Sequence, residues 1–158
     1  MKHLNKYPII LASGSPRRKQ LLEQIDLEFE VVPSQIYEDF SLNLSPSDFV
    51  EYYAQEKAKD VANSYPDKWV IGADTIVVFE SHILGKPKNE KDSFQMLKRL
   101  SGNTHQVITG VSIQNIKQDI SDSFHERTNV SFNTLSDKII NYYIDTYNPF
   151  DKAGSYGI

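Results

Sequence analysis

The most apolar run of the chain spans residues 69–79 and reads Trp-Val-Ile-Gly-Ala-Asp-Thr-Ile-Val-Val-Phe. Such a run predicts a strand in the middle of a sheet, covered on both faces. Asp74 interrupts the run, and burying its carboxylate costs free energy unless a cation, a metal or hydrogen bonds neutralise it. Gly72 just before it predicts a bend or a close backbone approach. The run therefore predicts the centre of the fold and favours a functional Asp74. A turn aspartate that caps local amides is the alternative.

A strand, a turn and a helix start are predicted around the sequence Ser-Gly-Ser-Pro-Arg-Arg at residues 13–18. Residues 7–12 are largely apolar, and Ser15 and Pro16 are the residue types of a helix N-cap and a first helical position. Amide groups at a helix start, next to two guanidinium groups, favour an anion such as a polyphosphate. A capped helix with two solvated arginines is the alternative, and these residues alone do not decide.

The remaining elements follow from alternation and from capping signals. We predict strands at 27–33, 83–84, 105–116 and 127–132, the third with Val107, Thr109, Val111 and Ile113 on one face. We predict helices that begin after Ser45, Asn89 and Thr134 and end near 64, 101 and 147, the last with Leu135, Ile139, Tyr142 and Tyr143. This order predicts an α/β fold with a mixed sheet and ligand loops at the carboxyl ends of parallel strands.

Composition narrows the class of protein. A chain of 158 residues suits one domain with a real core, or two lobes that share one sheet. The net charge of −4 argues against nucleic acid as a partner, and the absence of cysteine excludes a disulfide framework or a thiolate zinc site. The N-terminal apolar stretch, residues 7–12, is too short for a signal-peptide core, and no run approaches the length of a membrane span. We therefore expect a cytoplasmic protein with no membrane partner.

One lysine lies out of place in the helix that begins after Ser45. Val50, Ala54 and Val61 mark the apolar stripe of this helix, and Lys57 lies within the stripe. Its side chain either reaches the surface along its own stem or points into a cleft at an anionic ligand. Both interpretations stay open at this point.

Charged side chains on loops and in unexpected places share one chemistry. The cations are Arg17, Arg18, Lys57, Lys86 and Lys152, and the carboxylates are Glu38 and Asp74. Cations clamp phosphates, while carboxylates hold Mg²⁺ and accept a proton from an attacking water. This set predicts a metal-assisted phosphoanhydride hydrolase.

Other motifs do not explain the site. The chain has no Walker A motif and no dinucleotide fingerprint, and its four histidines lack the spacing of a metal site. We expect His105 to be structural and His3, His82 and His125 to lie at the surface.

The chain resembles the Maf family of nucleoside triphosphate pyrophosphatases over nearly its whole length. The matching blocks, in the family's order, are Ser13–Arg18, Glu38, Ala54–Ala58, Gly72–Thr75, Gly85–Pro87, Leu100–Gly102, His105–Val107, Thr109–Gly110 and Asp151–Gly154. The resemblance implies a Maf/ITPase-like α/β fold, in which a mixed, twisted sheet with flanking helices forms two lobes around a central cleft.

The resemblance also implies a reaction and a set of roles. A nucleoside triphosphate would be cleaved between its α and β phosphates with a divalent metal, most simply Mg²⁺ or Mn²⁺. Asp74 would accept a proton from water and hold the metal together with Glu38. The nucleotide would be bound by Ser13, Arg17, Arg18, Lys57, Thr75, Lys86 and Lys152. The motifs match the branch that favours dTTP and UTP, where Arg17 and Thr75 help to set the base.

The resemblance departs at the carboxyl end. In the family a glutamine usually follows the position of Ile158, and a further strand and helix come after it. We expect a single Maf-like domain over residues 1–158 that lacks this segment, with a strand beginning at Ile158. A homodimer is one expectation for the oligomeric state. Two other functions stay open, a nucleotide-binding regulator of septum formation or cell division and a nucleotidyl transferase.

Overall fold

A computed structural model describes residues 6–157 of the chain, so the expectations for His3 and Ile158 lie outside the described residues. The helices are α1 (Pro16–Gln24), α2 (Pro46–Ala62), α3 (Glu90–Leu100) and α4 (Asp137–Tyr147). The strands are β1 (Ile9–Leu11), β2 (Glu30–Val31), β3 (Trp69–Phe79), β4 (His82–Leu84), β5 (Thr104–Asn115) and β6 (Ile120–Ser131). None of the helices within 6–157 combines the length and the apolarity needed to cross a bilayer.

The six strands form one mixed sheet in the order β2-β1-β3-β5-β6, with β4 paired to β3. Strand β1 runs parallel to both β2 and β3, and Leu11 is level with Ile71. Strand β4 returns antiparallel, with Val77 opposite Leu84. The predicted α/β class and the central position of β3 are therefore confirmed.

Capping signals place two helix starts correctly. The Ser45 hydroxyl accepts a hydrogen bond from the Asp48 amide at the start of α2, and the Asn89 side chain accepts one from the Asp92 amide at the start of α3. The predicted start of α4 is wrong by two residues. Its N-cap is Ser136, whose hydroxyl accepts from the Ile139 amide, rather than Thr134.

Helix α4 buries Ile140 and Ile144, whereas Ile139 and Tyr142 are 52% and 64% exposed. The predicted strand 27–33 shrinks to two residues. Strand β2 stands at the end of the sheet and pairs only with β1, which has three residues and so offers few ladder partners.

The chain divides into two compact units. The first contains the described residues up to Asp74 together with Thr109–His125. In its core, Ala58, Val61 and Ala62 of α2 pack with Ile10, Ala12 and Val70 of the sheet.

The two faces of β5 differ in burial beyond Ile108. Thr109, Val111 and Ile113 are half-buried, whereas Gly110, Ser112 and Gln114 are buried. Helix α2 lies very close to the buried face, because a Cβ at Gly110 would lie 2.3 Å from the Val50 carbonyl oxygen.

The second unit contains Thr75–Ile108 and the described residues from Glu126 onward. Its core gathers apolar side chains from the sheet and both of its helices: Val77, Leu84, Leu97, Leu100, Val107, Ile140, Ile144 and Tyr156. His105 is buried there and bonds to the Tyr156 hydroxyl over 2.6 Å. This agrees with a structural His105.

Candidate active site

Asp74 lies on β3 and is 4% exposed. Its Oδ1 accepts a hydrogen bond from Nζ of Lys57 over 2.7 Å. Its Oδ2 is buried and has no hydrogen-bond partner among residues 6–157. Burial raises the pKa of Asp74, Lys57 and Arg18 oppose that rise, and Glu38 adds to it. An unfilled acceptor on a buried acid is costly, and ligands commonly fill such atoms.

Lys57 settles the two interpretations of its place in the apolar stripe. Its side chain is only 12% exposed, so it does not reach out into solvent. Its Nζ donates to Oε1 of Glu38 as well as to Oδ1 of Asp74. The ammonium therefore bridges the two carboxylates that the sequence singled out.

The close approach of α2 to β3 makes this bridge possible. A Cβ added at Gly72 would lie 2.3 Å from the Ala54 carbonyl oxygen and 2.7 Å from the Ala58 amide nitrogen. Only glycine tolerates such a contact without a shift of backbone. The predicted close approach at Gly72 is confirmed, and it brings the turn of α2 that carries Lys57 against the strand that carries Asp74.

Two side chains of α2 hold the loop that carries Glu38. Asp60 accepts hydrogen bonds from the Ser34 hydroxyl and the Gln35 amide at the start of the loop, over 2.8 and 2.9 Å. Farther along, the Asp39 amide donates to the Tyr53 hydroxyl over 2.5 Å. Glu38 thus lies between two anchors on the same helix as Lys57.

The turn before α1 is built around Ser13 and Arg18. Nη1 of Arg18 donates to Oγ of Ser13 and to the carbonyl oxygen of Ala73, both over 2.9 Å. Burial lowers the pKa of Arg18, and Asp74 beside it counters that effect. The guanidinium pKa starts far above neutrality, so Arg18 stays charged. Arg18 thus ties the turn before α1 to Ala73, the residue that precedes Asp74.

Arg17 presents a second open polar atom. Its Nη1 is buried and has no hydrogen-bond partner in the part of the chain that the structure describes. Ser15 occupies the predicted N-cap position with Pro16 after it, but its side chain makes no capping bond. Donors at a helix start and an unfilled guanidinium nitrogen together suit an anionic ligand.

The other predicted site residues belong to the second unit. Thr75 follows Asp74 in β3 and is half-buried. Lys86 is exposed in the turn after β4, and Lys152 forms an ion pair with Asp151 over 2.5 Å. The Gly154 amide donates to the Gly85 carbonyl oxygen over 3.1 Å, which joins the two loops that carry these lysines.

Tyr53 and Asp60 were not among the predicted site residues. Tyr53 is a buried aromatic side chain of α2 that contacts Phe49 and Tyr52. Nothing near it in the sequence indicates that its hydroxyl holds a loop. Asp60 lies outside the apolar stripe of α2, but that position does not indicate its hydrogen-bond partners, which are 25 and 26 residues away.

The two carboxylates fit a hard divalent cation only in part. Within residues 6–157, no group of three or more His, Cys, Asp or Glu side chains is placed to hold a metal. Glu38 and Asp74 do offer oxygen donors, and the open Oδ2 of Asp74 is an unused one. Mg²⁺ commonly takes one or two carboxylates and completes its shell with water and substrate phosphates, so this donor set suits it.

The chain is similar to known proteins over most of its length. The family model described as "Maf-like protein" matches residues 8–158. A dTTP/UTP pyrophosphatase of Bacillus mycoides is 51% identical over 150 residues, which is 95% of this chain and 78% of that protein. A dTTP/UTP pyrophosphatase of Bacillus cereus is 52% identical over 154 residues, covering 98% and 75% of the two chains.

A solved structure shares the fold at lower identity. The Ham1 protein of Staphylococcus aureus superposes with a TM-score of 0.53 at 19% identity, over 78% of this chain and 71% of that one. That likeness supports the mixed-sheet α/β architecture alone.

Proposed function

The chain belongs to the Maf family, and from that premise we propose that it hydrolyses dTTP and UTP to the nucleoside monophosphate and pyrophosphate. Its relatives at 51% and 52% identity carry that activity in their names. The observation that supports it in the structure is Asp74, a buried acid with one oxygen unfilled, surrounded by Lys57, Glu38 and Arg18.

The residues of the first unit divide the work between charge and proton transfer. We propose that Oδ2 of Asp74 accepts the proton of the attacking water, since burial raises the pKa of this acid toward the range of a useful base. Ser13, Arg17, Arg18 and Lys57 would bind the triphosphate and neutralise its charge. From the second unit, Thr75, Lys86 and Lys152 would bind the nucleotide, and Arg17 and Thr75 would help to select the base.

Glu38 and Asp74 would hold the divalent cation, Mg²⁺ or Mn²⁺. When bound, such a cation neutralises phosphate charge and lowers the pKa of a water molecule. The role of the protein is to keep two carboxylate oxygens close together. The hydrogen bonds from the Glu38 loop to Tyr53 and Asp60 would help to hold Glu38 in place.

The direct test is product analysis. The chain is incubated with dTTP or UTP and Mg²⁺, and the products are separated by ion exchange. We expect monophosphate and pyrophosphate, and we expect Asp74→Asn to abolish them while nucleotide binding persists. Asp145→Asn, an exposed substitution of the same kind on α4, is the matched control. Orthophosphate with dTDP would contradict the reaction class, and binding without turnover would favour the regulator of septum formation or cell division.

We also propose one Maf-like domain over residues 1–158 and a cytoplasmic location. The partner is a nucleotide and not a nucleic acid, and the net charge of −4 supports that choice. A homodimer is proposed for the oligomeric state, and sedimentation equilibrium tests it directly.

A further inference from the structure

Lys57 occupies the space between the two carboxylates that would hold the metal. Its Nζ donates to Oε1 of Glu38 and to Oδ1 of Asp74, and the three side chains are 12%, 26% and 5% exposed. One ammonium thus serves both acids, and the hydrogen bonds use one oxygen of each. The unfilled Oδ2 of Asp74 is the other oxygen of the more deeply buried acid.

An ammonium and a divalent ion compete for these oxygens. Each is a cation, and two like charges a few ångströms apart repel strongly in a partly buried site. Removing the ammonium alone is also unfavourable, because the buried Asp74 and the partly buried Glu38 then lose the cation that bridges them. Exchange of one cation for the other therefore needs a new anionic partner for Lys57. A triphosphate supplies such a partner in its oxygens.

We propose that Lys57 holds Glu38 and Asp74 in the absence of nucleotide and moves to a phosphate oxygen when a triphosphate binds, so that nucleotide and divalent ion bind with positive coupling. This inference rests on the proposed function in taking a triphosphate as the anion and Glu38 and Asp74 as the ligands of the divalent ion. Because coupling is reciprocal, the ion also raises the affinity for the nucleotide. A site arranged in this way has a low affinity for the ion alone.

The test measures binding of Mn²⁺ to the metal-free chain without nucleotide, by electron paramagnetic resonance of free Mn²⁺. We expect Lys57→Met to bind Mn²⁺ about tenfold tighter than the unsubstituted chain, within the usual range of such couplings. Lys59→Met is the matched control, since it removes an equal charge from an exposed position of the same helix. Adding Glu38→Gln to Lys57→Met should abolish the gain. Equal Mn²⁺ affinity in Lys57→Met and Lys59→Met would overturn the proposal.

Thermal unfolding gives a second readout that does not need a stable apo variant. With a chelator, Lys57→Met should melt well below the unsubstituted chain, and Mn²⁺ should restore much of the loss because the ion replaces the missing cation. A variant that folds only with Mn²⁺ is the extreme form of that result. A Lys57→Met variant whose melting ignores Mn²⁺ would contradict the proposal.

The outcomes separate this inference from the proposed function. Hydrolysis of dTTP by the unsubstituted chain, without a gain in Mn²⁺ affinity for Lys57→Met, would retain the activity and remove the coupling. A gain in Mn²⁺ affinity in a chain that does not hydrolyse dTTP would retain the competition between the cations and remove the activity.

Discussion

Each unit of the molecule buries a polar pair with one atom left over, and the two pairs differ in what surrounds them. In the first unit Asp74 pairs with Lys57, and Glu38 and Arg18 are the further charges near it. In the second unit His105 pairs with Tyr156, and its ring contacts Phe132 and Tyr156 edge to face. Nδ1 of His105 and Oδ2 of Asp74 are both buried without a hydrogen-bond partner inside the described range.

The difference lies in charge. Burial lowers the pKa of His105, and burial together with Tyr143 raises the pKa of Tyr156 to about 12, so both groups stay neutral around pH 7. An unfilled atom on a neutral ring is a modest cost that an aromatic core can carry. Three charged side chains gathered around an unfilled carboxylate oxygen, those of Lys57, Glu38 and Arg18, are much harder to explain by folding alone. The pattern of neighbouring charges, rather than the orphaned atom, is therefore what favours a functional role for the Asp74 pair.

The strongest way to break this comparison is to substitute one member of each pair. Asp74→Asn should lower kcat by about 10²- to 10⁴-fold, the usual range for loss of a general base. His105→Gln should leave kcat within a few-fold of the unsubstituted chain and lower the melting temperature instead. Steady-state kinetics and differential scanning calorimetry on both variants provide the measurement. Comparable losses of kcat would mean that the two pairs do not differ in kind.

The second prediction concerns the backbone contact behind the charged pair. Gly72→Ala would place a methyl group 2.3 Å from the Ala54 carbonyl oxygen, so α2 must move away from β3. We expect a loss of about 3 kcal/mol in the free energy of unfolding, as for an overpacked core. Gly14→Ala is the control for stability, because its methyl group would meet nothing nearer than a side-chain carbon of Pro33 at 3.7 Å. Urea unfolding that finds the two variants equally stable would rule out the tight contact.

Local signals account for much of what the sequence predicts. Strand β3 has its predicted bounds, and the caps at Ser45 and Asn89 are where their side chains placed them, because each depends on residues within a few positions. The cap predicted at Thr134 is wrong because a local signal cannot choose between two neighbouring hydroxyls. Ser136 offers an equally good cap two residues later, and the helix that starts there buries Ile140 and Ile144.

The charged pair depends on distant parts of the chain, and that is where sequence reasoning stops. Lys57 and Asp74 were each conspicuous, one in an apolar stripe and the other in an apolar strand. Their hydrogen bond joins residues 17 apart and requires α2 to lie against Gly72. Gly72 predicted a close approach, but no spacing rule identifies α2 as the element that approaches. The anchoring of the Glu38 loop by Tyr53 is a tertiary contact of the same type.

A pH titration of stability sharpens the comparison from the side of the neutral pair. Burial lowers the pKa of His105 below its usual 6.5, so the unfolded chain takes up this proton before the folded chain does. Stability from this group is therefore complete above about pH 6.5 and falls as the pH drops toward the folded pKa, by at most about 1.4 kcal/mol per pH unit. His105→Gln, which does not titrate, should show a flatter profile between pH 5 and 6.5 in urea unfolding. Identical profiles would mean that the imidazole is not held neutral.

The smallest expected effect tests whether the charged pair depends on its surroundings. Tyr53→Phe removes the hydroxyl that accepts the Asp39 amide, at a cost of about 1 kcal/mol in the free energy of unfolding. Because Glu38 directly precedes that amide, we expect a few-fold lower apparent affinity for Mg²⁺, read as a higher Mg²⁺ concentration at half-maximal velocity. Tyr52→Phe, the half-exposed neighbour on the same helix, should leave the Mg²⁺ requirement unchanged. If Tyr53→Phe keeps the Mg²⁺ requirement of the unsubstituted chain, the Tyr53 anchor serves stability and does not position Glu38.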